Sequence, residues 1–132
     1  MTEPRSFKVI LIVVSLPLVI FGGWRLVEPI GFYNFNGLEL PHNAGLLSEA
    51  RGAGGIIMVS GLVVVLGAFR DAWSRTSVVL AAVVFLSLGL GRLAGIALDG
   101  SPGANVIQGM AIELAFGCLA LFALFKYGHE DP

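Results

Sequence analysis

Residues 52–69 read GAGGIIMVSGLVVVLGAF, eighteen positions without a charge, bounded by Arg51 and Arg70. At ~1.5 Å per residue such a run covers most of the ~30 Å hydrocarbon core of a bilayer. Counted to its flanking arginine it gives a span at about residues 52–70, and comparable apolar runs lie at about 7–27, 77–98 and 104–127. Across all 132 residues, 56% are hydrophobic, 13% are charged, and the mean hydropathy is +0.87. A soluble domain of this size needs more polar surface, so the exterior these residues suit is lipid. The predicted fold class is all-α: a polytopic membrane protein folded as one antiparallel bundle of four transmembrane helices, a single domain over 1–132.

Arg5 and Lys8 ahead of the apolar run 9–24 imitate a secretory signal. The run is long for a signal core and no A-x-A pattern follows it, so it is expected to stay as the first span. Lysine and arginine in the short flanks set orientation. With the N-terminus inside, the cytoplasmic flanks hold Arg5, Lys8, Arg70, Arg75 and Lys126, and the outer flanks hold Arg25 and Arg51. That asymmetry predicts both termini in the cytoplasm.

Residues 28–50 are then an outer interfacial loop, with Phe32, Tyr33 and Phe35 at headgroup depth. Asn43 is placed to cap a second helix that starts above the membrane at Ala44. Residues 71–76 and 99–103 read as tight turns, and Pro17 is expected to kink the first helix. Many of the 18 glycines fall inside the spans, where small residues let helices approach closely. Gly91-x-x-x-Gly95 is the clearest spacing of this kind, expected chiefly to pack the bundle.

Two charges lie inside spans. Arg92 is seven residues before Asp99, hence ~10 Å from that end of its helix, and Glu113 is ~15 Å along the next one. An isolated charge at such depth is unfavourable by at least ~2.5–3.5 kcal/mol, so the two are expected to pair or to reach a wet cavity. Asp99 shares the face of Arg92, and Glu49 and Arg51 at the mouth of the second helix, with Asn43 above, can extend the network. The candidate site is therefore Asn43, Glu49, Arg51, Arg92, Asp99 and Glu113, opening outward. It can bind a polar head group, a small anion or a proton, or it can be an ion-pair lock that fixes helix register.

Several chemistries find no support. A net charge of −1 gives no basic field for nucleic acid. His42 lies outside and His129 in the cytoplasmic tail, ~30 Å apart across the bilayer, too far to share a metal or clamp a haem. No catalytic residue, metal site or cofactor is expected, because no nucleophile–base set can assemble in the bundle. Cys118, the single cysteine, is expected to pack as a small hydrophobe. The Arg51-Gly-Ala-Gly-Gly stretch lacks the Lys-Ser/Thr ending and the preceding strand of a phosphate loop.

Asn43 with Ser48-Glu49-Ala50-Arg51-Gly52, Gly91-Arg92-Leu93 with Leu98-Asp99-Gly100-Ser101-Pro102, and Glu113 together resemble an uncharacterised bacterial family of small four-helix integral membrane proteins, catalogued as a domain of unknown function. The resemblance covers nearly the whole chain. It implies the four-helix architecture, a bacterial inner-membrane address and one site formed by these polar positions, and it supplies no activity.

Of two functions, the accessory subunit is the first reading and the small-molecule binder the alternative. Small size, short loops and glycine-rich faces favour an accessory or structural subunit that packs on a membrane complex or on itself. The polar cluster favours a small-molecule or lipid head-group binder or transporter. A membrane-embedded enzyme is the weakest of the readings. Orientation has a direct check: with Cys118 replaced by alanine, a cysteine introduced by S101C should react with an impermeant maleimide from outside the cell. Reaction from the cytoplasmic side alone would reverse the topology.

Overall fold

A backbone that crosses hydrocarbon has to satisfy its N–H and C=O groups within each segment, which leaves the helix as the solution for isolated apolar runs. The computed structural model describes residues 4–128 and follows this rule: it is all-helical, with no strand among the described residues. The helices are α1 (Arg5–Val27), α2 (Pro29–Phe35), α3 (Ala44–Phe69), α4 (Asp71–Asp99) and α5 (Ala104–Tyr127). All but α2 are long and apolar enough to span a membrane.

The boundaries follow local chemistry. Glu28 separates α1 from α2, and Pro29 takes the first position of α2, where its missing N–H loses no bond. Asn43 caps α3 as expected, its Oδ1 accepting from Leu46 N at 3.1 Å. Gly100 and Gly103 adopt φ of 92° and 100°, which glycine tolerates, and so turn the chain from α4 into α5.

Three local expectations are corrected. Residues 71–76 are not a turn but the opening of α4, because Arg70 alone suffices to reverse the chain. The stretch 28–50 is not one loop: ahead of the expected start of α3 at Ala44 it contains the short helix α2. Cys118 is exposed and outside the core. α1 is one helix with Pro17 inside it.

Neighbouring helices are antiparallel, and glycine sets their register. On α1 and α3, a Cβ at Gly22 would lie 2.5 Å from Met58 N, one at Gly54 2.6 Å from Leu26 N, and one at Gly61 2.8 Å from Val19 N. These backbones touch with no room for a side chain. On α4 and α5 the fit is reciprocal: Leu114 covers Gly89, and Leu86 covers Gly117. Between α3 and α4, Ser77 sits against Gly67, and the hydroxyls of Ser74 and Ser77 donate to Gly67 O and Val63 O, each at 2.8 Å. Gly91 and Gly95, the spacing singled out in the sequence, have nothing within 4 Å. They lie away from the faces where helices meet.

The core fills only one half of the bundle. Its buried residues include Phe7, Leu11, Val14 and Leu18 of α1, Val64 and Ala68 of α3, Val78, Ala81, Ala82 and Phe85 of α4, and Ala120 and Ala123 of α5. All lie toward the end where the chain enters and leaves, here called the termini end. There Ser6 Oγ and Tyr127 Oη are 2.9 Å apart, Phe7 packs on Tyr127, and Lys8 pairs with Asp71 at 3.3 Å. The other end, crossed by α2, is called the α2 end.

Helix contact at glycine has a measurable signature. G54A should lower stability in detergent by about 1–3 kcal/mol, because the new methyl meets backbone that cannot retreat. G95A should be neutral or stabilising by up to ~1 kcal/mol from helix propensity. Equal losses in thermal or denaturant unfolding would contradict this register.

Candidate functional site

The reciprocal Gly89–Leu114 and Gly117–Leu86 contacts place the α2-end halves of α4 and α5 side by side, and they carry Arg92 and Glu113 to the same level. Arg92 donates Nε to Glu113 Oε2 at 2.8 Å and Nη2 to Oε1 at 3.1 Å. This two-bond guanidinium–carboxylate fork is the strongest geometry open to these groups. The side chains are 31% and 15% exposed, so the pair is neither sealed in the core nor open to bulk solvent.

The other four residues of the expected cluster are not brought together. Asn43 caps α3. Arg51 donates Nη1 to Leu26 O at 2.6 Å and to Val27 O at 2.8 Å, and so satisfies the last carbonyls of α1. Arg75 serves α5 in the same way, donating to Gly128 O at 2.8 Å. Glu49 and Asp99 are exposed and form no hydrogen bond or ion pair among the described residues. His129 lies outside the described residues.

The pair borders a hollow. Beyond the core, the space between α1 and the α4–α5 pair is a cavity of two adjoining lobes, about 430 Å³ and about 320 Å³. Arg25, Phe32, Asn36, Leu88 and Arg92 line both. The larger lobe runs down to Leu18 and Phe85, where the core begins, and is walled by Pro17, Phe21, Ile57 and Ile112. Glu113 lines it together with Arg92. The α2 helix roofs the space: Trp24 packs on Phe32 and Phe35, with ring centroids 5.6 and 5.2 Å apart, and Asn105 Nδ2 of α5 donates to Phe35 O at 3.2 Å.

Arg25 is a site residue that sequence reasoning missed. Its Nη2 donates to Tyr33 Oη at 2.6 Å, and its guanidinium lies 5.2 Å from the Tyr33 ring centroid and 5.9 Å from that of Phe32. Its Nε is buried without a hydrogen-bond partner. The available signal was an arginine in the last turn of a span followed seven residues later by an aromatic cluster, a spacing that lets the chain fold back over the guanidinium.

These features define an integral membrane protein: a four-helix bundle, packed solid at one end and hollow at the other. The chain belongs to the family described as DUF4345, a domain of unknown function, which it matches over residues 6–124. No curated protein and no solved structure matches it.

The pairing of Arg92 and Glu113 has an asymmetric mutational signature. R92L or E113L alone leaves a charge stranded in an apolar bundle and should lower stability by about 2–3 kcal/mol. The double variant should recover most of that loss. A double variant as unstable as the sum of the two would show that the groups do not act as a pair.

Proposed function

We propose that this protein binds an amphiphilic small molecule or lipid within the membrane, in the hollow half of its bundle, and that this half faces the outer side. The observation that carries the reading is the cavity. It is apolar where it meets the core and polar where it meets Arg25, Arg92, Glu113 and Asn36. That polarity gradient suits a molecule with a tail and a head. The lysine and arginine asymmetry of the flanks supports the outward orientation, and the resemblance of the polar motifs supports a bacterial inner membrane. Alternating access is usually built from repeated bundles, so four helices fit binding or presentation better than transport by a single chain.

A second reading, an accessory subunit packed on a membrane-protein partner or on another copy, draws on the unfilled positions Gly52 and Gly95. Small open positions permit close helix approach but do not select a partner. The two readings are compatible, since a binder can also assemble.

Photo-crosslinking separates cavity binding from ordinary lipid contact. Ile57 and Leu88 line the larger lobe and are only half-buried, so a molecule in the cavity meets them more readily than surrounding lipid does. A diazirine-bearing fatty acid or phospholipid should modify peptides containing them, and excess unlabelled lipid should compete. Adducts confined to outward-facing positions such as Ile56, Val83 and Leu90 would remove the cavity from the function.

A further inference from the structure

The charge of the cavity selects among amphiphiles. Its lining holds three charged side chains: Arg25, Arg92 and Glu113. Glu113 is committed to Arg92 through both of its oxygens. Among the described residues Arg25 has no carboxylate partner and its buried Nε no acceptor, while Tyr33 Oη takes one of its N–H groups and ring faces take part of its charge. The site therefore carries one positive charge in excess and one buried donor unsatisfied, both at Arg25. In surroundings of low polarity the excess charge is unfavourable, and an oxyanion beside the guanidinium relieves it.

We infer that the ligand is a monoanionic amphiphile, whose oxyanion head accepts from Arg25 beneath α2 and whose chain lies along Phe21, Ile57 and Ile112 toward Leu18 and Phe85. This deepens the proposed function and rests on it. The chemistry shared by the candidates is one negatively charged head on an apolar chain, either the carboxylate of a fatty acid or the phosphodiester of an anionic phospholipid. A neutral head leaves the excess charge in place. A dianionic head overshoots it. Arg25 is the residue that reads the head, while Arg92, already engaged by Glu113, forms the wall opposite.

Trp24 reports on the site directly, because it packs against the roof at Phe32 and Phe35. The chain has two tryptophans, and W73F leaves Trp24 alone. In that background, reconstituted in zwitterionic lipid discs, Trp24 quenching would be titrated with a chain-brominated fatty acid and with its methyl ester. Brominated phosphatidylglycerol and phosphatidylcholine form the second pair. Work at about pH 8.5 keeps the acid ionised, well above the usual carboxylate range.

The charged member of at least one pair should saturate the quenching at about ten-fold lower concentration than its neutral counterpart, and the pair that responds names the source of the head. That factor corresponds to ~1.4 kcal/mol, within reach of one hydrogen bond to a charged group. R25Q should abolish the preference. R25K, which keeps the charge but not the planar fork, should retain it in weakened form, and this separates charge recognition from damage to the fold. Saturable quenching that is equal for charged and neutral probes would leave cavity binding standing and overturn the charge inference. No saturable quenching by any probe would overturn both.

Discussion

A charge that enters hydrocarbon has to bring its partner with it, and the Arg92–Glu113 fork is how this chain meets that requirement. The two bonds require α4 and α5 to be antiparallel, adjacent and in one register. The reciprocal seating of Leu114 on Gly89 and Leu86 on Gly117 fixes the same register by shape. Charge pairing and steric fit thus specify one arrangement, and agreement of this kind between levels is what makes a fold unique. Without the pair, two ionisable groups would face lipid or an empty space. Without the glycines, the helices would stand too far apart for the fork to close.

The remaining arrangement is a division of labour along the helix axes. At the termini end, leucine, valine, alanine and phenylalanine fill the bundle, with Ser74 and Ser77 bonding back to α3 across a single-residue reversal. At the α2 end the same helices carry small and polar residues, among them Ser87, Gly91, Asn105, Gln108 and Gly109, which cannot fill the space between α1 and α5. The short α2 helix closes that space with aromatic rings, held on Trp24 on one side and on Asn105 on the other. A packed half gives rigidity, and the unpacked half leaves a volume of the size that ligand sites occupy.

The spans were legible because a long uncharged run has few alternatives to a membrane helix, and the Arg92–Glu113 contact was legible because unpaired charges at matched depth are so unfavourable. Other features were hidden for physical reasons. Arg51 resembles an anion ligand in sequence, but its partners are the backbone carbonyls of Leu26 and Val27, which no side-chain pattern advertises. Gly91 and Gly95 have an ideal spacing, yet spacing does not say which face of a helix meets its neighbour, and Gly22, Gly54 and Gly61 do that work instead. Arg25 reads in the sequence as a flanking charge, because its significance depends on α2 folding back over it. The cavity itself is a deficit of packing, and sequence records residues rather than the space between them.

The central claim is that one half of the bundle holds the protein together while the other half holds a molecule. It is tested most directly by extracting the protein from its own membrane in native lipid discs and examining it by native mass spectrometry as surrounding lipid is stripped away. The account predicts that one amphiphile per chain outlasts the rest of the lipid. A chain that emerges bare while its helices and its Arg92–Glu113 pair remain intact would contradict it.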